Sequence, residues 1–160
     1  MKEKIKHYIK EVVLFVVVMT IFANIISFYK ANNLIKQPLN INYEFKSDKP
    51  ILIHFWATWC PTCKLEASNI QQISQNYEVL TIAVNSGSNK DIKKYMDERG
   101  LTFKFINDAD GYFAKKFNIS AYPTTFIYDK HKNLVFSDVG YTSTIGLYLR
   151  MWWARSLVNN

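Results

Sequence analysis

The chain has 160 residues, of which 49% are apolar and 21% are charged, a composition typical of a globular protein. Its two cysteines are too few for a disulfide-stapled miniprotein or a four-cysteine zinc ribbon. The formal net charge of +7 is spread along the chain, with no run of basic residues longer than two. Because a nucleic-acid site gathers its positive charge on one face, we expect no nucleic-acid partner.

The first predicted element is a membrane anchor at residues 12–29, a stretch of 18 residues without a charged side chain. As a helix it would be about 27 Å long, close to the hydrocarbon thickness of a bilayer. A cleaved signal peptide and a buried soluble helix are the alternatives. The positive-inside rule predicts a cytoplasmic tail at residues 1–11 and the rest of the chain outside, because four lysines precede the anchor: Lys2, Lys4, Lys6 and Lys10.

The remainder divides into a polar tether at 30–40 and one predicted α/β domain at 41–160. Early alternation of strands and helices implies right-handed crossovers and a parallel core, whereas the last two strands form an antiparallel hairpin. The expected fold is a three-layer α/β/α domain with a central mixed sheet. The pattern predicts strands at 41–45, 51–56, 79–84, 102–106, 124–128 and 134–138, and helices at 61–74, 88–99, 110–117 and 143–157.

Both cysteines lie in one motif, Cys60-Pro61-Thr62-Cys63, between the first long strand and the first long helix. At a helix N-terminus, positions i and i+3 bring two sulfurs onto one face, close enough for a disulfide. Free backbone N–H groups and the helix dipole would stabilise a thiolate at Cys60, which makes it the expected nucleophile. Cys63, one turn further on, would be more buried and would resolve a mixed disulfide.

Two other interpretations of the cysteine pair remain open. A metal site is one, although zinc needs about four ligands and the chain has only three histidines, two of them placed away from the motif. A purely structural disulfide is the other, although closing so short a loop would add little stability.

The segment Phe55–Lys64, FWATWCPTCK, resembles the active-site segment of the thioredoxin superfamily, and Ala121–Phe126, AYPTTF, resembles its cis-proline segment. Within that superfamily the chain resembles membrane-anchored bacterial thiol:disulfide interchange proteins. These include the cytochrome-c-maturation thioredoxins and the suppressor-for-copper-sensitivity D proteins. The resemblance implies a thioredoxin-like fold and a catalytic domain that faces the periplasm from a single-pass anchor in the inner membrane.

The resemblance also implies a role for each matching residue. Cys60 matches the nucleophile and Cys63 the resolving thiol. Pro123 matches the cis-proline that faces the disulfide, where neighbouring backbone pairs with an extended substrate. Tyr122 and the exposed Trp59 would then contact the partner. An ordinary trans turn at Pro123 is the alternative.

Two ionisable residues near the motif are candidates for tuning thiol pKa values or relaying a proton. Glu66 matches an acidic position of cytochrome-maturation relatives, although Ser68 replaces the proline usual two residues later. An exposed helix residue is the alternative for Glu66. His54 stands where ordinary thioredoxins place a buried acid and could accept a proton from Cys63; a packed strand histidine is the alternative.

The tryptophans outside the motif are assigned mainly to the core. We expect Trp56 to be buried. Trp152 and Trp153 in the last helix are expected to pack in the core, with a membrane-facing aromatic patch as the alternative.

The sequence thus predicts a thiol-disulfide oxidoreductase, acting more as a reductase on cysteine thiols or disulfides of envelope proteins. Its electron partner would be an upstream membrane or periplasmic redox protein, and no dissociable cofactor or resident metal is expected beyond the Cys60–Cys63 disulfide. The alternative function is a Cu(I)-binding dithiol, since soft thiolates suit that ion. A non-catalytic tethered scaffold is a third hypothesis.

Overall fold

A computed structural model describes residues 2–32, 41, 43–45 and 49–156 of the chain. It contains five helices and five strands within these ranges. The helices are α1 (Lys2–Asn32), α2 (Pro61–Ser74), α3 (Asn89–Asp97), α4 (Tyr112–Lys116) and α5 (Thr144–Ser156). The strands are β1 (Ile51–Trp56), β2 (Glu78–Val84), β3 (Lys104–Asp108), β4 (Thr124–Tyr128) and β5 (Leu134–Val139).

The five strands form one sheet in the order β3-β2-β1-β4-β5. Strands β1, β2 and β3 are mutually parallel, whereas β4 is antiparallel to β1 and β5 is antiparallel to β4. Every residue of β1 is buried, which is what a near-continuous apolar run predicts for a strand covered on both faces. The predicted mixed sheet is confirmed.

Helices cover both faces of this sheet and create two apolar clusters. On one face, α2, α3 and α5 pack over Leu52 and Trp56 of β1. On the other face, α4 packs over Ile51, Ile53 and Phe55 of the same strand. Because side chains alternate along a strand, His54 lies on the face that carries α2. The sheet therefore places His54 and the α2 cysteines in the same layer.

The predicted strand at 41–45 is wrong for the residues that the structure describes there. Ile41, Tyr43, Glu44 and Phe45 lie outside any strand, yet Ile41 is buried in the α4-side cluster and the two aromatic rings pack against it. Alternating apolar residues thus cover a sheet face without joining the hydrogen-bonded ladder. Residue 42 lies outside the described residues.

The expectation that Trp152 and Trp153 belong to the core is also wrong, since their side chains are 60% and 52% exposed. In α5 the inward positions are held by Leu147, Met151 and Ala154, which are completely buried. A residue one position away from these points about 100° around the helix, so the two tryptophans face outward. Trp56, in contrast, is buried as expected.

The N-terminal helix α1 spans 31 residues and includes the predicted anchor segment. The apolar side chains described between residues 12 and 25 are all about half exposed or more, and the helix runs alongside β5. No helix among the described residues meets the combined length and apolarity of a membrane span. Of the predicted tether at 30–40, positions 33–40 lie outside the described residues.

Candidate active site

The Cys60-Pro61-Thr62-Cys63 motif forms the N-terminus of α2, directly after the short loop that follows β1. Cys60 is the N-cap residue in an extended conformation, and Pro61 occupies the first helical turn, where its missing N–H has no cost. The backbone N–H of Cys63 donates to Cys60 Sγ at 3.2 Å. The two cysteines form a disulfide, with their Cα atoms 5.3 Å apart.

This arrangement favours a thiolate at Cys60 when the disulfide is reduced. The N-cap position directs the Cys63 N–H and the positive end of the helix dipole toward Cys60 Sγ. Cys63 lies inside the first turn and is 2% exposed, against 5% for Cys60. Both sulfurs are therefore sheltered, and a partner must approach Cys60 closely in order to react.

The loop before β4 lies beside the disulfide. The Tyr122–Pro123 peptide bond is cis, and the Tyr122 carbonyl oxygen lies 3.6 Å from Cys60 Sγ. The carbonyl of Pro123 accepts a hydrogen bond from Gly140 N at 2.8 Å, which ties this loop to the end of β5. The backbone at Tyr122 thus lines the approach to Cys60.

An aromatic pair flanks the same approach. The rings of Trp59 and Tyr122 meet edge to face, with centroids 5.8 Å apart. Trp59 is 55% exposed, and its Nε1 donates to the carbonyl of Asn85 at 3.1 Å. The buried Ser86 hydroxyl accepts from Thr58 N at 3.0 Å. The loop after β2 therefore holds the loop that carries Trp59, a role that the sequence analysis missed.

His54 is buried in the centre of the sheet, with 2% exposure. Its Nδ1 forms a hydrogen bond with Thr125 Oγ1 at 2.9 Å. Burial lowers the pKa of His54 to about 3, because a charged imidazolium would be poorly solvated there. The imidazole is thus neutral at physiological pH and retains one unprotonated ring nitrogen.

Glu66 is completely buried, so the exposed-helix interpretation of this residue is wrong. Its Oε1 accepts a hydrogen bond from Thr142 N at 3.1 Å, and its Oε2 has no hydrogen-bond partner among the described residues. Burial raises the pKa of Glu66 to about 8, the Thr142 hydrogen bond opposes the rise, and the charge of Asp138 adds to it. Glu66 therefore holds a proton at neutral pH.

Asp138 and Arg150 form an ion pair that the sequence analysis did not identify. Arg150 Nε lies 2.8 Å from Asp138 Oδ2, and its Nη2 donates to Oδ1 at 3.3 Å. Burial raises the pKa of Asp138, and Arg150 opposes that shift. Asp138 is directly opposite Thr125 in the β4–β5 ladder, just as Thr125 is opposite His54 in the β1–β4 ladder. Such pairings depend on strand register and have no short-range sequence signal.

The two cysteine sulfurs are the soft ligands of the motif. Among the described residues, no group of three or more histidine, cysteine or carboxylate side chains is placed to hold an ion. The structure does not bring His7 or His131 to the cysteines, since neither contributes to such a group.

The sheet, the covering helices and the disulfide at the helix N-terminus define a protein with a thioredoxin-like fold. The chain belongs to the AhpC/TSA family, whose profile matches residues 27–137. The solved structure of StoA from Bacillus subtilis superposes with a TM-score of 0.57 at 23% identity, covering 68% of this chain and 84% of that one. At that identity, the similarity supports the fold alone.

Curated relatives extend the comparison to sequence. A thioredoxin-like protein of Haemophilus influenzae is 34% identical over 109 residues, which cover 67% of this chain and 64% of the relative. The thiol-disulfide oxidoreductase ResA of Geobacillus kaustophilus is 32% identical over 87 residues, or 52% of this chain and 50% of the relative. The chain thus matches between half and two thirds of the length of these relatives.

Proposed function

We propose that this protein is a thiol-disulfide oxidoreductase whose reactive group is the Cys60–Cys63 pair. The observation that carries the proposal is the disulfide itself, placed at a helix N-terminus with the Tyr122 carbonyl beside Cys60 Sγ. The relatives named thiol-disulfide oxidoreductases support the same chemistry. The cysteine variants described in the Discussion test it.

In the reductive direction, the Cys60 thiolate attacks one sulfur of a substrate disulfide. This step forms a Cys60–substrate disulfide and releases one substrate thiolate. Cys63 then loses its proton and attacks Cys60 Sγ, which forms the Cys60–Cys63 disulfide and releases the second substrate thiolate. The two thiolates take up two protons, so the substrate gains two electrons and the dithiol loses two.

The substrate class that fits this site is an extended peptide segment of another protein carrying a cysteine. The backbone of Tyr122, just before Pro123, would pair with that segment by strand addition, and the exposed Trp59 ring would contact its side chains. A small disulfide would use only the sulfur chemistry, whereas a protein substrate would also use the backbone and ring contacts.

His54 and Glu66 are proposed to manage protons in the resolving step. The imidazole of His54 is neutral and lies in the layer that contains Cys63, so it would offer a lone pair to the Cys63 proton as that thiol attacks, although its low pKa weakens it as a base. Glu66, one turn after Cys63 and protonated at neutral pH, would serve as a proton store for the same step.

Replacing His54 with leucine is expected to slow the resolving step about 10- to 100-fold at pH 7, because the proton acceptor is lost. The attack of Cys60 on substrate should remain within about twofold of the wild-type rate. Single-turnover kinetics with a disulfide-containing peptide would resolve the two steps. His131→Leu, in an exposed turn, is the matched control. An unchanged second step across the pH range would eliminate His54 as the base.

We further propose that residues 12–29 anchor the protein in the inner membrane of a bacterium, with the catalytic domain in the periplasm. The uncharged composition of this segment and the exposure of its described apolar side chains support the anchor. The excess of lysine before it supports the orientation. In that oxidising compartment, a reductase needs an upstream redox partner to supply its electrons.

Labelling of native cells with a membrane-impermeant maleimide tests both the facing and the direction of electron flow. We expect Cys60 to react in intact cells without added reductant, because the pair would be outside the membrane and reduced. A chain with both cysteines replaced by alanine is the control for background. Labelling only after cell lysis would contradict the periplasmic facing, and labelling only after an impermeant reductant would contradict the reductase direction.

A further inference from the structure

Three side chains on neighbouring strands form a polar row across the sheet, on the face that carries α2. His54 on β1 is directly opposite Thr125 on β4, and Thr125 is directly opposite Asp138 on β5. Directly paired residues on antiparallel strands point to the same face. Thr125 is 2% exposed, so its hydroxyl must find its partners inside the protein.

We propose that Thr125 is a positioning residue for the dithiol chemistry. Its hydroxyl oxygen accepts a hydrogen bond from Nδ1–H of His54 and so leaves Nε2 as the unprotonated nitrogen. The hydrogen bond itself is 2.9 Å long and buried. A threonine hydroxyl both donates one proton and accepts, so the bond alone permits either imidazole tautomer.

The far end of the row favours one of the two tautomers. Asp138 is opposite Thr125, and although burial raises the pKa of Asp138, Arg150 at 2.8 Å opposes that rise and stabilises the carboxylate. A carboxylate can only accept hydrogen bonds, so its negative charge across the ladder would orient the Thr125 hydroxyl proton toward β5. The Thr125 oxygen would then present its lone pairs to His54, and the imidazole proton would lie on Nδ1.

This role rests on the proposed function of His54 as the acceptor of the Cys63 proton. Only the Nδ1–H tautomer has Nε2 free to take that proton while Nδ1 is engaged with Thr125. Thr125 therefore acts through His54 and touches neither the substrate nor a sulfur in the proposed mechanism.

The chain offers a matched control on the other side of His54. Thr81 on β2 is also opposite His54 and is completely buried. Its hydroxyl donates to the carbonyl of Lys104 at 3.0 Å instead. Thr125→Val and Thr81→Val thus each remove one buried hydroxyl beside the same histidine, but only the first removes an imidazole partner.

The test is nitrogen NMR of the oxidised full chain labelled with ¹⁵N-histidine, in which only three histidines contribute signals. The His54 signals are identified by their loss in His54→Leu. We expect wild-type His54 to carry its proton on Nδ1, and Thr125→Val to shift the tautomer ratio toward Nε2–H by about tenfold, the equivalent of one lost hydrogen bond. Thr125→Ser should restore the wild-type ratio, and Thr81→Val should leave it unchanged.

An Nε2–H tautomer in the wild type, or an unchanged ratio in Thr125→Val, would overturn the proposal. Should Thr125→Val prove unfolded, a failure of Thr125→Ser to keep the wild-type tautomer would overturn it equally. Single-turnover kinetics on the same variants tests the role of His54 as the base separately from its positioning by Thr125. A shifted tautomer with an unchanged resolving rate would retain the positioning by Thr125 and reject His54 as the base.

Discussion

Replacing Cys60 with alanine is expected to abolish disulfide exchange, with a loss of about a thousandfold or more in rate. The reason is that Cys60 holds the N-cap position, where the Cys63 N–H and the helix dipole stabilise a thiolate. Cys63 is less exposed and lies inside the first turn of the helix, so it cannot replace Cys60 as the first nucleophile. Reduction of a disulfide-containing peptide by the full chain measures this loss.

Cys63→Ala should behave differently, because it removes only the resolving thiol. The first attack is expected to proceed, and the reaction should stop at a covalent Cys60–substrate disulfide. Non-reducing gel analysis and mass measurement would then show, for each chain, one substrate sulfur freed as a thiol and the other held in a disulfide with Cys60. Equal losses in the two variants, with no trapped species in Cys63→Ala, would contradict the assigned order of attack.

The second large effect concerns the buried carboxyl of Glu66. Its pKa is about 8 in the folded protein, against 4.5 for an ordinary glutamate, so between these values the folded state binds more protons than the unfolded state. The free energy of unfolding must then fall as pH rises through this window. His54 contributes a change of the opposite sign only between about pH 3 and 6.5. The interval from pH 6.5 to 8 therefore separates the contribution of Glu66 from that of His54.

From pH 6.5 to 8 we expect oxidised wild-type protein to lose about 1.5 kcal/mol in its free energy of unfolding. Glu66→Gln should lose less than half of that, because glutamine resembles the protonated acid and retains an oxygen for the Thr142 N–H. Denaturant unfolding at the two pH values measures the difference. Glu78→Gln, whose carboxylate meets Lys104 at 3.2 Å near the surface, is the control and should keep the wild-type slope.

An identical decline in Glu66→Gln and wild type would place the titrating group elsewhere. Asp138 is the nearest candidate, since burial raises its pKa as well. Asp138→Asn would then be the variant that removes the slope.

Much of the fold is predictable because its signals are local. The apolar run at 51–56 and the helical spacing of residues 61–74 correspond to β1 and α2 with identical bounds. The segment around Ile41 misled the prediction, since alternation reports which side of an extended chain is apolar and does not report whether another strand pairs with it. Trp152 and Trp153 misled it as well, because size and apolarity do not specify which face of α5 turns inward.

The residues of the site also differ in whether local sequence predicts them. The cysteine pair at a strand-to-helix junction has a short-range sequence pattern, and so does the Tyr122–Pro123 segment. The partners that determine the chemistry of His54 and Glu66 come from 71 to 76 residues away in the chain. Thr125, Asp138 and Thr142 reach them through strand register and the packing of the α5 region, which no local pattern reports.

The most direct test of the central claim is a thiol count on the reduced full chain after one encounter with a disulfide-containing peptide. We expect one peptide disulfide to disappear for each Cys60–Cys63 disulfide formed, with two peptide thiols released. Recovery of an intact peptide disulfide beside two free protein thiols, under conditions where the peptide is the stronger oxidant, would contradict it.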